Sequence, residues 1–506
     1  MMKPESQTQK AIQELTNFVS LPLESKLQPY SDDQIAATVI NLFQNVANNV
    51  PAYQEFLANQ GIESRSIQSL ADFQKLPKVN KENYISKYPL SQLCYHGKLE
   101  NCDFIAASSG STGKSTFWPR SLTDELEIAT RFEQIFYDSF QADDKTTLAV
   151  VCFALGTWVG GIFTTNCCRH LAAKGYPITV ITPGNHKTEI LRIVQELGGN
   201  FEQVILLGYP PFLKDVIDTG IANGMQWQQY QIKLVMAGEV FSEEWRNLVA
   251  HRIGSENPAY DFSSMYGTAD AGVLGNETPL SISIRRFLAA TPAAAKALFG
   301  ESRLPTLVQY DPSSRFFEVE ERNLLFSGNN GIPLIRYSIF DQGGLITYAD
   351  MIEFLANWGF DPIKELKDNR EIHQLPFVYI FGRSNFTVSY FGANIYPENV
   401  TVGLEQPIIR EWVTGKFVLQ VQEDVDKNRL LSVVVELAPG VENQEEKRLS
   451  ITNSILTQLL RLNSEFANYV PPEYQTPLVE LKSTGDAEYF PVGVKHRYTR
   501  KMTDER

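Results

Sequence analysis

Residues 146–168, TTLAVVCFALGTWVGGIFTTNCC, contain no charged side chain over 23 positions. A charge-free run of this length could cross a bilayer as a helix. The run contains Gly156, Gly160 and Gly161, five threonines and Asn166, however, and no other part of the chain is similar to it. This composition favours a buried strand, a glycine turn and a buried helix. The segment therefore predicts one unit of a layered α/β protein.

The segments around it continue the alternation of short apolar runs and helix-length amphipathic stretches. The predicted elements are strands at residues 148–153, 178–182, 204–207 and 234–237, and helices at residues 187–197 and around residues 212–217. Strands separated by helices are typical of parallel α/β layers. Residues 1–75 are predicted to be helical, because Ile12, Leu15 and Phe18 recur at helical spacing.

The last part of the chain predicts a small α+β unit with its own core. Two strands at residues 417–422 and 430–437 flank a turn-prone segment, and apolar side chains at helical spacing then run from Ile451 to Leu462. Residues 478–481 predict a final strand. We expect a domain boundary near residues 382–385, with a large N-terminal domain (1–382) and a small mobile domain (383–506). A small module hinged to a large α/β body is often a lid over a cleft.

Composition excludes several classes of function. The 506 residues include 59 acidic and 45 basic side chains, a formal charge of −14. Such a field repels phosphate backbones and anionic lipid, so neither nucleic acid nor a membrane surface is an expected partner. The five cysteines form no CxxC pair and the N-terminus has no apolar signal-peptide core, so we expect a cytoplasmic protein. The sequence contains neither an HExxH zinc motif nor a Gly-x-Ser-x-Gly elbow.

The densest local motif is a run of small polar residues: Ser108, Ser109, Gly110, Ser111, Thr112, Gly113, Lys114, Ser115 and Thr116. Such a run exposes backbone N–H groups to phosphate oxygens, and Lys114 adds a positive charge. It is not a Walker A loop, because only two residues separate its glycines where that motif needs four. The run predicts another kind of phosphate-binding loop, with a flexible surface loop as the alternative.

This loop and four later motifs, in this order, resemble those of the adenylate-forming superfamily of acyl-CoA synthetases and peptide-synthetase adenylation domains. The later motifs are Met236-Ala237-Gly238-Glu239, Tyr266-Gly267-Thr268-Ala269-Asp270, Pro333-Leu334-Ile335-Arg336-Tyr337 with Asp341, and Gly382-Arg383-Ser384-Asn385. The chain is most similar to the phenylacetate–CoA ligase branch, in Leu76-Pro77 with Lys81, in Tyr88-Pro89, and in EVFSEEWR at residues 239–246. The segment YGTADAG also resembles phenazine-tailoring adenylating enzymes.

The resemblance implies a large layered α/β domain of the acyl-adenylate-forming type with a small α+β lid. It further implies a ligase that uses ATP and Mg²⁺ to convert a carboxylic acid into an acyl adenylate, with release of pyrophosphate, and then transfers the acyl group to CoA. The loop from Ser108 to Lys114 would hold the β- and γ-phosphates. The resemblance also implies adenine binding by Gly238, Glu239 and Tyr266, and nucleotide binding by Gly267 and Thr268, with the Thr268 hydroxyl as the substitute for the family's phosphate-contacting threonine. The other implied roles are ribose binding by Asp341 and Arg383, Mg²⁺ binding by Asp270, catalysis by Lys495 and Lys114, and a hinge at Asn385.

Several positions depart from the family pattern. Asp270 stands where the family has Glu, Ala269 replaces a Thr, and the hinge residue is the uncharged Asn385. The late lysine is assigned to Lys495, with Lys501 or a loose basic tail as alternatives. A degenerate homologue that binds nucleotide without turnover is therefore a second hypothesis, and an assembly protein without a small-molecule site is a third.

The acyl pocket is predicted near Phe153, Trp158, Gly160 and Tyr209. An aromatic-lined slot would suit an aryl or arylacetic acid, although the same side chains could be ordinary core aromatics. The acceptor could also be an amine, a carrier protein or a reductase partner instead of CoA, and the sequence leaves a homodimer open.

Overall fold

The computed structural model describes residues 7–100, 102–108, 116–157, 159–238, 240–301, 303–366, 370, 372–383, 388–390, 393–423, 429–463, 466–467, 470, 472–491 and 496–500. The strands in these ranges are β1 Phe104–Ser108, β2 Thr116–Arg120, β3 Thr147–Val151, β4 Ile178–Ile181, β5 Gln203–Gly208, β6 Ile232–Ala237, β7 Phe262–Thr268, β8 Gly272–Asn276, β9 Thr306–Gln309, β10 Phe316–Glu320, β11 Asn323–Gly328, β12 Leu334–Ile346, β13 Phe377–Arg383, β14 Val388–Tyr390, β15 Ala393–Ile395, β16 Val413–Glu423, β17 Arg429–Leu437, β18 Leu478–Lys482 and β19 Thr499–Arg500.

The helices of the same ranges are α1 Gln7–Ser20, α2 Leu23–Lys26, α3 Asp32–Asn49, α4 Pro51–Asn59, α5 Leu70–Phe73, α6 Leu122–Gln134, α7 Val159–Lys174, α8 Lys187–Leu197, α9 Pro210–Ala222, α10 Glu243–Ile253, α11 Pro258–Asp261, α12 Pro279–Ala290, α13 Pro292–Phe299, α14 Tyr348–Asn357, α15 Pro362–Glu365, α16 Pro397–Leu404 and α17 Glu445–Leu462. The five N-terminal helices confirm the helical start predicted from the apolar spacing.

One half of the main sheet is parallel, as predicted. The full strand order is β10-β11-β12-β13-β9-β8-β7-β6-β5-β3-β4, and the strands from β4 to β7 pair in parallel. Leu148 and Val150 pack in the cluster of α8, α9 and α10 on one face of the sheet, whereas Ala149 and Val151 pack against α6 and α7 on the other. Burial on both faces explains why these strands are continuous apolar runs.

The other half of the sheet is antiparallel, from β8 through β9, β13, β12 and β11 to β10. Helices α3 and α4 cover it, with Phe43 and Tyr53 in the same buried cluster as Phe326 and Tyr337. The N-terminal helices therefore pack directly on the strands that follow residue 306.

Residues 146–168 supply strand β3 and the beginning of helix α7. Cys167 and Cys168 are fully buried in the core beneath the sheet. Among the residues that the structure describes, no helix is both long enough and apolar enough to span a membrane. The strand, turn and helix predicted for this segment are thus present.

A second sheet, β18-β17-β16-β19, lies in the part of the chain from β14 to β19, which we call the small module. Its core is a separate apolar cluster that includes Val433, Val435, Ile451 and Ile455, from β17 and α17. We call the chain from α1 to β13 the large body. The mobility of the small module and its boundary near residues 382–385 remain predictions.

A buried carboxyl group joins the two parts. Glu405, at the end of α16, is hydrogen-bonded to the hydroxyl of Ser242, which caps α10 of the large body. Burial raises the pKa of Glu405 to about 8, with Glu244 adding to the shift and the Ser242 hydrogen bond and Arg285 opposing it. The neutral carboxyl therefore fits this contact better than the carboxylate.

We predict that the contact weakens the fold above neutral pH. Because the folded pKa exceeds the ordinary value of 4.5, this stabilisation is complete only below that value and is lost as the pH rises through about 8. Thermal unfolding should show a smaller decrease in Tm from pH 7 to pH 9 for Glu405→Gln than for the wild type. The exposed Glu353 of α14, which is not among the groups that shift the pKa of Glu405, provides the control Glu353→Gln, which should retain the wild-type decrease. Equal decreases for Glu405→Gln and the wild type would contradict this account.

Candidate active site

Four of the predicted motifs lie on neighbouring strands of the main sheet or on strands that face each other in its register. Ala237, the last residue of β6, lies opposite Met265 of β7, so Gly238 and Tyr266 follow at neighbouring strand ends. On the antiparallel half, Asp341 of β12 lies directly opposite Arg383 of β13. The register therefore pairs the two residues that the sequence assigns to one ribose.

Two tyrosine–carboxylate hydrogen bonds join two of these motifs. The hydroxyl of Tyr266 donates to Asp341 Oδ2 at 2.6 Å, and the hydroxyl of Tyr337 donates to Asp270 Oδ2 at 2.6 Å. Each tyrosine precedes a carboxylate by four residues in its own segment but bonds the carboxylate of the other segment. We call this arrangement the crossed pair. Hydrogen bonds to ionised carboxylates are stronger than neutral ones, so the crossed pair fixes both carboxylates in place.

The backbone of β12 is irregular where it contributes to the crossed pair. Arg336 and Phe340 have φ angles of 47° and 63°, a left-handed conformation that is unfavourable for residues other than glycine. The pairing register of β12 also shifts against both β11 and β13. These irregularities lie beside Tyr337 and Asp341, as is typical of strained segments at functional sites.

Buried arginines hold the backbone around Asp270. Arg120, at the end of β2, donates to the carbonyl oxygens of Ala269 at 2.5 Å and Asp270 at 3.1 Å. Burial lowers the pKa of Arg120, and the carboxylate of Asp124 opposes that shift. From the other side, Arg315 donates to the carbonyl oxygen of Ala271 at 3.4 Å. Because Ser108 pairs with Thr116, β2 also anchors one end of the predicted phosphate loop.

Lys81 reaches the same carboxylate from the N-terminal region. Its Nζ lies 3.8 Å from Asp270 Oδ1 and 5.4 Å from the centre of the buried Trp118 ring. The preceding segment is fixed to β12, because the N–H of Val79 donates to Arg336 and the N–H of Ser338 donates back to Val79. The sequence showed Lys81 only as part of a resemblance, and its place beside Asp270 depends on this contact between distant segments.

Two glycines allow close approaches in these motifs. Gly238 has a φ of +83°, and a Cβ there would lie 2.8 Å from the Tyr209 ring. A Cβ on Gly267 would lie 2.6 Å from the carbonyl oxygen of Gly272, so the turn after β7 could not close as tightly. Thr268 stabilises that turn by accepting a hydrogen bond from the N–H of Ala271 at 3.1 Å. These contacts give Gly238, Gly267 and Thr268 a local structural role.

The predicted acyl-pocket residues pack against each other. Phe153 is buried and forms an edge-to-face contact with Tyr209, with ring centres 5.0 Å apart. Gly160 lies against Phe153, because a Cβ there would contact that ring at 3.4 Å. Both rings belong to the core cluster between the sheet and α7. The pocket itself remains a prediction.

Several predicted site residues lie outside the described residues. They are Ser109, Gly110, Ser111, Thr112, Gly113, Lys114, Trp158, Glu239, Asn385 and Lys495, together with the side chains of Ser108 and Arg383. Their roles remain predictions from the sequence.

Comparison with known proteins gives distant matches. No family model matches the chain. It is 24% identical over 208 residues to the phenylacetate-coenzyme A ligase of Pseudomonas putida, covering 41% of this chain and 45% of that protein. It is 21% identical over 252 residues to the phenylacetate-coenzyme A ligase of Thermus thermophilus, covering 50% of this chain and 52% of that protein. The matched region thus spans about half the length of each relative.

The similarity of the folds extends much further. The crystal structure of 2-hydroxyisobutyryl-CoA ligase in the postadenylation state, in complex with R3-HIB-AMP, superposes with a TM-score of 0.65 at 14% identity. The superposition covers 93% of this chain and 89% of that one. The chain shares its fold with that structure. The α/β body and small α+β unit predicted from the sequence are both present, and within this fold the crossed pair joins two of the predicted motifs.

We predict that the crossed pair contributes measurably to stability. Tyr337→Phe removes the hydroxyl that bonds the buried carboxylate of Asp270, and hydrogen bonds to charged groups contribute about 1.5–3 kcal/mol. Urea unfolding should show a decrease of that size. Tyr95 is a matched control, because its hydroxyl donates to the neutral amide oxygen of Asn329 at 2.9 Å, and Tyr95→Phe should cost about 1 kcal/mol or less. Equal losses in the two variants would show that the bond to Asp270 has no special strength.

Proposed function

We propose that the chain activates a carboxylic acid with ATP and then transfers the acyl group to CoA. The observation that carries this proposal is the crossed pair, which fixes Asp341 and Asp270 in place. Nucleotides bind at the carboxyl ends of strands in open α/β sheets, so the ends of β6 and β7 suit them. The distant similarity to phenylacetate-coenzyme A ligases supports the same chemistry.

In this proposal the nucleotide lies along the strand ends. The adenine would lie beside Gly238 and Tyr266, which follow each other at neighbouring strand ends. Asp341 accepts hydrogen bonds from the ribose hydroxyls, and Arg383, opposite it in the register, lies near the same sugar. The Tyr266–Asp341 bond orients the carboxylate before the nucleotide arrives, which lowers the cost of ordering it.

The first half-reaction requires positioning and charge stabilisation. A carboxylate oxygen of the acid attacks the α-phosphorus of ATP, and the bond from that phosphorus to the pyrophosphate oxygen breaks. The products are the acyl adenylate and pyrophosphate. Lys81, held beside Asp270, would direct a positive charge toward the phosphates, together with Lys114 and Lys495. In the second half-reaction, the CoA thiol attacks the acyl carbonyl carbon, and AMP leaves.

Asp270 fits Mg²⁺ in one limited way. Among the described residues there is no group of three or more metal-ligating side chains. The Oδ2 atom of Asp270 accepts from Tyr337, and its Oδ1 lies 3.8 Å from Lys81 Nζ. Mg²⁺ commonly takes one or two carboxylates and completes its shell with phosphate oxygens and water. Asp270 would hold such an ion through Oδ1, and the ion would neutralise phosphate charge when bound.

The acid is proposed to be aryl or arylacetic, because the half-buried ring of Tyr209, which packs edge-to-face on Phe153, lies near the end of β5.

A second candidate function is nucleotide binding without turnover. The engagement of Asp270 by both Tyr337 and Lys81 favours it, because the carboxylate then has less freedom to bind a metal.

ATP–pyrophosphate exchange tests these two functions against each other. Purified protein with Mg²⁺ and a panel of aryl, arylacetic, phenazine and fatty carboxylic acids should exchange label only when a suitable acid is present. Thermal-shift titration with ATP serves as the binding control. ATP binding without exchange for any acid would favour the non-turnover function, and absence of both would contradict a nucleotide site.

We predict that Asp341→Ala raises the KM for ATP about tenfold or more, because the ribose hydroxyls lose a charged acceptor. Steady-state exchange at varied ATP measures this effect. Asp341→Asn retains an oxygen acceptor and should lie between Asp341→Ala and the wild type. The exposed Asp350 of α14 supplies the control Asp350→Ala, which should be silent. An unchanged KM for ATP in Asp341→Ala would show that Asp341 does not bind the nucleotide.

Lys81→Met should lower the exchange kcat by about 100-fold, the usual loss when one charge-stabilising donor is removed. Lys78, three residues earlier, is the matched control. The exposed fraction of its side chain, 46%, is close to the 38% of Lys81. Lys78 pairs with Glu320 at 3.0 Å, however, and not with Asp270. Lys78→Met should therefore retain wild-type exchange. An equal exchange kcat for Lys81→Met and Lys78→Met would show that Lys81 does not act in the reaction.

A further inference from the structure

Arg303 makes a set of contacts that the proposed chemistry does not use. It lies in the large body between α13 and β9, with only 8% of its surface exposed. Within the large body, its guanidinium binds Glu301, through a hydrogen bond of 2.9 Å from Nε and an ion pair of 2.8 Å from Nη2. The guanidinium also lies 4.7 Å from the centre of the Phe381 ring of β13.

The small module also contacts this guanidinium. The Tyr396 ring, immediately before α16, lies 3.7 Å from the guanidinium carbon. Arg303 therefore contacts one aromatic ring of the large body and one of the small module. Cation–π contacts of this kind are strongest where water is excluded, as it is around this side chain.

A second contact crosses at the same point. Nη1 of Arg303 lies 4.0 Å from Oε2 of Glu398, in the first turn of α16. Within the described part of the chain, neither of these two atoms has a hydrogen-bond partner. A shift of the module by about 1 Å toward the body would convert this ion pair into a direct hydrogen bond.

Further contacts between the described residues of the two parts lie on other elements. Arg252 of α10 pairs with the half-exposed Glu411 at 2.7 Å, and Lys214 of α9 donates to the carbonyl oxygen of Val413 at 3.3 Å. An exposed pair contributes little. Between Arg303 and the Ser242–Glu405 contact lies a cleft of about 960 Å³, counting the open space at its mouth. The two parts are thus joined at separate points around a cleft.

We propose that Arg303 is a positioning residue that holds the small module in its docked orientation on the large body. Each part has its own apolar core, so loss of this contact changes the docking equilibrium and leaves both cores intact. The effect on activity rests on the proposed function, whereas the effect on docking does not.

Hydrogen–deuterium exchange of the full chain tests docking without any substrate. Arg303→Ala should increase exchange in α16 and leave the core strands β5 and β17 unchanged. Tyr396→Leu, which removes the ring from the other side, should do the same, and the double variant should add little because both changes remove one interaction. Arg303→Lys keeps a cation and should restore part of the protection.

Arg322 provides the matched control. It pairs with the same Glu301 and lies 5.9 Å from the same Phe381 ring, and both of these partners belong to the large body. Arg322→Ala should leave α16 protected. Unchanged exchange in Arg303→Ala, or an equal increase in Arg322→Ala, would overturn the proposal.

The two half-reactions then measure the consequence for catalysis. We expect adenylation to require the docked module. If Arg303→Ala reduces the docked fraction to about a tenth, the kcat of ATP–pyrophosphate exchange should fall about tenfold, with an unchanged KM for ATP. Thioester formation from preformed acyl adenylate should not decrease. Absence of ATP–pyrophosphate exchange in the wild-type protein would contradict the proposed function and leave the docking result intact. Increased hydrogen–deuterium exchange in α16 of Arg303→Ala, with unaltered ATP–pyrophosphate exchange kinetics, would overturn the catalytic role of docking.

Discussion

The crossed pair is the constraint on which the candidate site depends. Two segments far apart in the sequence each carry a tyrosine four residues before an aspartate, and each tyrosine bonds the aspartate of the other segment. Three strands lie between β7 and β12 in the sheet order, so the sheet must curve strongly for these bonds to form. The left-handed residues Arg336 and Phe340 accompany that curvature. Strain in β12 is tolerated because packing and hydrogen bonds on both sides determine its path.

The same strand brings the N-terminal region into the site. Arg336 pairs with Glu318 at 3.1 Å and donates to the carbonyl oxygen of Leu76, so the segment before Lys81 is fixed to β12. Arg120 fixes the strand after the predicted phosphate loop to Asp270. Buried, charge-assisted hydrogen bonds therefore hold distant segments of the large body together. The small module is attached at separate points around a cleft, and its mobility is part of our proposal.

The sequence predicted the features that arise from local patterns. Apolar runs and helical periodicity located β3 to β6, α8, α9 and α17, and ordered motifs singled out Tyr266, Asp270 and Asp341, which the structure joins in the crossed pair. The strands from β8 to β12 were not predicted, because β12 is irregular and buried polar residues such as Gln309 and Arg336 break the alternation. The place of Lys81 beside Asp270 and the role of Arg303 depend on contacts between distant segments. Such contacts leave no periodic signal in either segment.

A crystal structure of the full chain with AMP would show directly where the nucleotide lies. We expect adenine beside Gly238 and Tyr266, with both ribose hydroxyls within hydrogen-bonding distance of Asp341. Tyr337 should remain bonded to Asp270. AMP bound away from these residues, for example in the cleft beside Arg303, would exclude the proposed nucleotide site, even if the protein bound AMP tightly.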